Sequence, residues 1–211
     1  VSRYIIYSAT APNLPLVYKL KVLIVSSGAS DEENGLLPLS KKEQKAIFKG
    51  LKKAQEDGHI QIDVLEIATL NHLRAYLSEY QPHVFHFDGH GLFGRRCHRE
   101  HCRNIHTDLS AGLCKRCGSD LPEPQGYLVF ETEDDEANYV SATEIGELLQ
   151  KASFQARSSQ DRDSYKGIAV AVLSACKSGM ALGGKSVFNG LAQRVISHRV
   201  PAVVAMQYNV R

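Results

Sequence analysis

Two apolar runs constrain the fold of this chain most, because each ends at small residues beside a reactive side chain. The first, PHVFHFDGHG over residues 82–91, is rich in β-forming residues and reaches His90 between two glycines. The second, GIAVAVLSACKSG over residues 167–179, reaches Cys176 where its apolar pattern breaks. Since glycine favours turns, we predict two buried strands, with His90 in the loop after one and Cys176 at the start of the loop after the other.

Strand and helix patterns alternate along the rest of the chain, which predicts the α/β class. Capping residues mark three of the expected helix starts: Ser40 with Glu43, Thr69, and Ser141 with Glu144. We predict a mostly parallel sheet with helices on both faces. The expected strands lie near residues 3–7, 21–26, 60–67, 84–88, 127–130, 138–140, 167–175 and 202–206, and the expected helices near residues 41–58, 69–80, 141–154 and 186–196.

The composition indicates a single globular domain and gives no sign of a membrane protein. The 211 residues are 43% hydrophobic and 23% charged, and the formal charge of +2 favours neither nucleic acid nor an anionic membrane as a partner. No apolar run approaches the roughly 18 residues that a membrane span needs. The start of the chain lacks the pattern of a signal peptide, so we expect a cytoplasmic protein.

The predicted topology turns His90 and Cys176 into a candidate site. Ligands of open parallel sheets bind beyond the carboxyl ends of the strands, where both residues are expected. A thiolate is a nucleophile for acyl transfer, and a neighbouring imidazole can accept its proton. The backbone amides of Gly91 and Cys176 are candidates for the oxyanion hole. The alternative is that each residue is structural, as lone histidines and cysteines after strands often are.

The motifs HFDGHG and VLSACKSG resemble the CHAT branch of the caspase-like cysteine peptidases, relatives of separase, caspases and gingipains. The resemblance covers nearly the whole chain except its first residues and the region 92–125, and it implies a caspase-like sandwich with His90 and Cys176 as the dyad. The two residues are 86 positions apart, or 52 without the 34 residues of that region. Caspases place the histidine about 50 residues upstream of the cysteine, although here the caspase cysteine motif is matched only at Ala175, Cys176 and a later glycine.

The region 92–125 interrupts the α/β pattern and reads as a small insert within a domain that spans residues 1–211. Its four cysteines form two pairs, Cys97-x4-Cys102 and Cys114-x2-Cys117, and the second pair has the spacing of a zinc knuckle. We predict a structural zinc ion that supplies the folding energy of the insert. The alternatives are a redox-active or free thiol cluster, or a site in which one histidine replaces a cysteine of the first pair, the candidates being His98, His101 and His106.

Substrate preference and partners are less constrained by the sequence. The loop 27–39 contains three acidic residues and no arginine, whereas caspases use an arginine from this loop to bind acidic substrates, so cleavage after acidic residues is not expected. Asp88 is a candidate for binding a basic substrate residue, or else it accepts amides and holds the histidine loop in shape. The basic side chains of the insert predict either a docking surface for protein or RNA or an ordinary solvated surface; they are Arg95, Arg96, Arg99, Arg103, Lys115 and Arg116.

We therefore expect a cysteine endopeptidase that cleaves a protein partner. The resemblance implies an activated effector of prokaryotic defence, including CRISPR-linked systems, with a regulatory or sensor module in the same or another chain. It also implies that further substrate-pocket residues follow Arg211. Two alternatives stay open: a catalytically silent scaffold with this fold, and a zinc-knuckle module that binds RNA or protein.

Overall fold

The computed structural model describes residues 3–7, 18–38, 41–152, 167–175, 187–198 and 200–206, with the backbone alone at 3–7, 41–44, 187–189 and 206. The described residues form nine strands: β1 Arg3–Tyr7, β2 Leu20–Ser26, β3 Ile60–Leu65, β4 Val84–Arg96, β5 Ile105–His106, β6 Gln125–Glu131, β7 Ala137–Ser141, β8 Val170–Ala175 and β9 Ala202–Met206. The helices are α1 Lys41–Glu56, α2 Leu70–Glu79, α3 Ala142–Ala152 and α4 Val187–Ser197, and a short 3-10 helix spans Glu32–Asn34.

The central sheet has the strand order β1-β9-β8-β4-β2-β3. All neighbours along this path are parallel except β1, which pairs antiparallel with β9. The chain leaves β2 outward to β3 and then crosses back to β4 on the other side of β2. Ligand sites of open α/β sheets lie at such a reversal, just beyond the carboxyl ends of the strands. The mostly parallel α/β fold is confirmed, and its reversal lies between β2 and β4.

Strand β4 does not end where the sequence predicts. Its first half pairs with β2 and β8 as far as Gly89, and from His90 to Gly94 it pairs antiparallel with β6. The prediction of a loop around His90 was therefore wrong. A side chain on Gly89 would come within 2.7 Å of the Phe87 ring. This glycine is thus required by close packing inside a continuous strand, and not by a turn.

Helices cover both faces of the sheet, as the alternation predicts. Side chains of α2, α3 and α4 pack on one face in a single core that contains the fully buried Phe85 and Phe87. On the other face, Ile47, Leu51 and Ala54 of α1 pack against β2 and β3. Among the described residues, no helix has both the length and the hydropathy that a membrane crossing requires.

Two of the predicted helix caps are present. The Thr69 hydroxyl accepts a hydrogen bond from the His72 amide at 3.2 Å at the start of α2. At α3, the Glu144 carboxylate accepts from the Ser141 amide at 3.0 Å and the Ser141 hydroxyl accepts from the Glu144 amide at 3.1 Å, which is a capping box. The predicted cap of α1 cannot be compared in the same way, because Ser40 lies outside the described residues and Glu43 is described by its backbone alone.

Two helical glycines provide a matched test of this packing. An added methyl group at Gly146 of α3 would overlap the ring of His198, whereas one at Gly50 of α1 would meet no atom within 4 Å. We expect Gly146→Ala to lower the free energy of unfolding by about 1–3 kcal/mol through overpacking. We expect Gly50→Ala to raise it by about 0.5–1 kcal/mol, because alanine favours the helix. Urea denaturation measures both changes, and an unchanged or raised free energy of unfolding for Gly146→Ala would contradict the packing of α3 against His198.

Candidate functional site

The register of two adjacent strands sets the geometry of the predicted dyad. Gly89 of β4 and Ala175 of β8 are paired residues in parallel strands, and neighbouring strands lie about 4.8 Å apart. His90 directly follows Gly89 in the sequence, and Cys176 directly follows Ala175. Cys176 itself lies outside the described residues. The described strands therefore bring the residues that precede the two dyad members side by side at the carboxyl edge of the sheet.

The His90 side chain is 7% exposed, and its orientation is fixed by one hydrogen bond. Its Nε2 atom lies 2.5 Å from the backbone carbonyl oxygen of Leu37. A carbonyl oxygen only accepts, so Nε2 carries the proton and donates it, which leaves a lone pair on Nδ1 of the neutral ring. Nδ1 is buried and has no hydrogen-bond partner among the described residues. This nitrogen is the one that is available to accept a proton.

The turn that presents the Leu37 carbonyl is held by Asp31. The Asp31 carboxylate caps the 3-10 helix by accepting from the Asn34 amide at 3.2 Å and from the Asn34 side chain at 2.8 Å. The backbones of Asp31 and Leu36 exchange two hydrogen bonds of 2.9 and 2.8 Å. Burial favours a higher pKa for Asp31, but hydrogen bonds from Tyr139 and Asn34 outweigh it and lower the pKa. Asp31 is therefore an ionised structural residue of this turn.

A chain of hydrogen bonds connects this turn to the far end of β4. The Tyr139 hydroxyl donates to the Asp31 carboxylate at 2.5 Å, and the Arg96 guanidinium donates to the Tyr139 carbonyl. Burial and the Asp31 carboxylate both raise the pKa of Tyr139, so its hydroxyl stays protonated as the donor. Arg96, Tyr139 and Asp31 thus form a hydrogen-bonded path from the last residue of β4 to the turn that contacts His90. Sequence reasoning missed Leu37 and Tyr139, because a backbone carbonyl and a single phenol have no motif.

Asp88 and Gly91 lie where the sequence places them along the chain, but in different surroundings. Asp88 is buried on the same face of β4 as His90, opposite Ser26 of β2 and Ser174 of β8. Its backbone carbonyl accepts from the Ser27 amide at 2.8 Å. Gly91 is buried within the ladder opposite Leu128 of β6, instead of in the expected loop. The substrate-binding role of Asp88 and the oxyanion role of Gly91 and Cys176 remain predictions.

The four cysteines of the insert converge. Their Sγ atoms all lie within 4.8 Å of one another, with Cys97 3.5 Å from Cys117 and Cys102 3.6 Å from Cys114. Four sulfur ligands at 2.3 Å in a tetrahedron are about 3.8 Å apart, close to these distances. All four are free thiols. The cluster therefore has the donor set and the spacing that fit a structural metal ion.

The surroundings of the cluster distinguish its cysteines and exclude two of the candidate histidines. Burial raises the pKa of Cys97, whereas hydrogen bonds with the Ser119 hydroxyl and amide lower that of Cys117 to about 6. His106 is buried with its Nε2 atom 3.3 Å from the Cys114 sulfur, and burial followed by the charge of Lys115 lowers its pKa. His98 and His101 are exposed, and the candidate metal group within the described residues contains only the four cysteines.

The insert is anchored on the strand that carries His90. Residues 92–96 belong to β4, so the excursion from the sheet runs from Cys97 to Pro124, and β5 pairs with Arg95 and Arg96 at its base. The Arg95 guanidinium donates to the carbonyls of Leu109 at 3.3 Å and Pro122 at 2.9 Å. Arg95 and Arg96 thus hold the insert together and are not free for a partner. The basic surface is correspondingly smaller than the sequence indicates.

Comparisons with known proteins identify the family of the chain. No curated protein matches the chain. Among solved structures, a protein from Geobacter sulfurreducens is similar at 12% identity and a TM-score of 0.40, over 87% of this chain and 62% of that one, so this chain spans less than two thirds of that protein. The sequence matches the family model of the CHAT domain over residues 8–211, which is nearly its whole length. The chain therefore belongs to the CHAT domain family, within the caspase-like cysteine peptidase superfamily.

Proposed function

We propose that this chain is a cysteine endopeptidase in which His90 and Cys176 form the dyad. The observation that supports the proposal best is the buried Nδ1 of His90, which has no hydrogen-bond partner among the described residues, while Nε2 is held by the Leu37 carbonyl. A base with its lone pair fixed at the carboxyl edge of the sheet is what acyl transfer to a cysteine requires. Gly89 and Ala175, the residues directly before His90 and Cys176, are paired at this edge of the sheet.

The proposed reaction has two stages. Nδ1 of His90 accepts the Cys176 proton, and the thiolate attacks the carbonyl carbon of the scissile amide to form a tetrahedral intermediate. The amides of Gly91 and Cys176 stabilise its oxyanion. When the C–N bond breaks, the imidazolium returns the proton to the leaving amine and an acyl-enzyme remains. His90 then deprotonates a water molecule that attacks the thioester, and the release of the acid product restores the thiol. Throughout, the Leu37 carbonyl holds Nε2–H and stabilises the imidazolium.

The substrate and the setting are proposed more broadly. A protein substrate is expected, and cleavage after acidic residues is not, because Asp31 is ionised and engaged in the turn where caspases supply an arginine. Asp88, buried on the His90 face, either binds a basic substrate residue or maintains the edge of the sheet. A role as an activated effector of prokaryotic defence, CRISPR-linked systems included, rests on the family resemblance. So do a cytoplasmic location and a regulatory or sensor module.

Replacing either member of the dyad tests the proposed reaction. We expect Cys176→Ala and His90→Ala each to reduce peptide cleavage by about 10³-fold or more, since the nucleophile and its base act as a unit. Cleavage of a peptide library and labelling by a thiol-directed acyl warhead are measured in the presence of candidate activators. Unchanged cleavage by both variants would contradict the peptidase. Absence of wild-type labelling under every activator would favour the silent scaffold.

The metal of the insert is proposed to be zinc. Thiolate ligands in a closed tetrahedral set select zinc among the common structural ions. The small apolar core around the cluster contains Cys97, Cys114 and Leu121 with Cys102 and Ala111 against it, too little buried surface to fold alone. A metal that binds all four sulfurs would supply the missing folding energy.

Two cysteine substitutions separate the metal site from the dyad. We expect wild type to hold one zinc ion per chain. We expect Cys114→Ser to lose this ion and to have a melting temperature lower by at least about 5 °C. Cys176→Ser is the matched control, which keeps the zinc and the melting temperature while losing peptidase activity. Elemental analysis and calorimetry measure both quantities. Full zinc content in Cys114→Ser would contradict the four-cysteine site.

The hydrogen-bonded path to Leu37 predicts a positioning role for Tyr139. We expect Tyr139→Phe to lower kcat by roughly tenfold with little change in KM, because the turn that orients His90 loosens while the substrate contacts remain. Tyr80→Phe is the control: Tyr80 is 56% exposed and lies between α2 and the start of β4, at the opposite end of the parallel part of this strand from His90. Steady-state kinetics on a cleavable peptide measures the difference. An equal effect of the two variants would contradict the path.

A further inference from the structure

A cleft of about 660 Å³ lies between the insert, the start of α2 and the β6–β7 hairpin. Its volume falls within the range of small-molecule sites. Three arginines from separate elements line it: Arg74 of α2, Arg96 of β4 and Arg103 of the insert. His90 does not line this cleft, although Arg96 and Tyr139 of the path to the Leu37 turn do. Its chemistry therefore calls for a separate explanation.

The acidic residues of the cleft are already engaged. The Glu131 carboxylate accepts from the Gly28 amide at 2.6 Å and from the Ala68 amide at 3.3 Å, and Glu144 belongs to the capping box of α3. Glu133 lies 3.9 Å from His72. In the described part of the chain, no carboxylate lies within ion-pair distance of Arg74, Arg96 or Arg103. The Arg96 guanidinium already donates to the Tyr139 carbonyl, so the guanidinium groups of Arg74 and Arg103 are the two left for a ligand.

Arg103 occupies a backbone conformation that favours glycine. Its φ is 43°, and its amide donates to the Arg99 carbonyl at 3.0 Å directly after the ligand Cys102. In the second cysteine pair the corresponding residue, directly after Cys117, is Gly118. Its φ is 71°, and its amide donates to the carbonyl of Cys114, four residues earlier. A side chain in this region costs about 1 kcal/mol. The residue after the first cysteine pair is therefore an arginine in a conformation that strains its backbone.

We propose that this cleft binds the phosphate group of a small ligand of the nucleotide class. Guanidinium forks match phosphate oxygens bidentately. A phosphate monoester carries a charge of about −1.5 to −2 and can pair with the guanidinium groups of Arg74 and Arg103 at once, whereas a carboxylate carries a single charge. The cleft also adjoins the amino terminus of the ten-residue helix α2, whose dipole favours an anion. A bound phosphate joins α2 and the insert.

Calorimetric titration of the zinc-loaded full-length protein tests the site, with ATP and pyrophosphate as probes in the absence of magnesium. Succinate serves as the carboxylate probe and a single-stranded oligouridine as the nucleic-acid probe. The key variant is Arg103→Gly, which removes the guanidinium and relieves the backbone strain. Arg74→Ala removes a second guanidinium from a helix outside the insert. Arg116→Ala, an exposed arginine of the other knuckle that does not line the cleft, is the control.

We expect ATP and pyrophosphate to bind, and Arg103→Gly and Arg74→Ala each to weaken binding by roughly tenfold or more. Arg116→Ala is expected to bind like wild type, and Arg103→Gly to keep its zinc with an equal or higher melting temperature. Failure of both phosphate probes to bind at about 5 mM would overturn the proposal. Succinate binding as tight as that of ATP would also overturn it. Oligouridine binding that all three variants weaken equally would indicate a general basic surface and would overturn it as well. If Arg103→Gly proves to be destabilised, Arg74→Ala is the deciding variant, and ATP binding by Arg74→Ala as tight as that of wild type overturns the proposal.

Discussion

The continuous hydrogen-bonded ladder of β4 is the constraint on which the rest of the structure depends. Within one strand, the first half is a central member of the parallel sheet and the second half pairs antiparallel with β6. His90 lies at the change of partner, and Cys97, the first residue of the cysteine cluster, follows the last residue of the strand. Because the backbone is paired along its length, the candidate catalytic base and the insert cannot move independently of each other.

A single carbonyl decides what the imidazole can do. The bond from Nε2 to Leu37 leaves Nδ1 as the basic nitrogen, and the turn that presents this carbonyl is fixed by Asp31 and by the Tyr139 hydroxyl. Arg96 extends these contacts to the base of the insert and also lines the arginine cleft. The cysteine cluster, the cleft and His90 are therefore linked through one strand and one set of hydrogen bonds.

The parts of the fold that the sequence predicts correctly are those with a side-chain signature. Apolar runs predict the buried strands, Ser141 with Glu144 predicts the start of α3, and the cysteine spacing predicts the sulfur cluster. Gly89 led to the wrong prediction of a loop, because glycine occurs both in turns and where side chains pack tightly. The position of the Phe87 ring shows that tight packing is the reason here. The contact of His90 with Leu37 is invisible in the sequence, because its acceptor is a backbone carbonyl 53 residues away.

We propose that the fold holds His90 as the Nε2–H tautomer and leaves Nδ1 to accept the proton of Cys176. Nitrogen-15 NMR of histidine-labelled protein at neutral pH tests it most directly, with His90→Gln identifying the His90 resonances. The account predicts a proton on Nε2, an unprotonated Nδ1, and a change in the Nδ1 resonance when Cys176 is replaced by serine. A proton on Nδ1, or an Nδ1 resonance that does not respond to the Cys176 substitution, would contradict it.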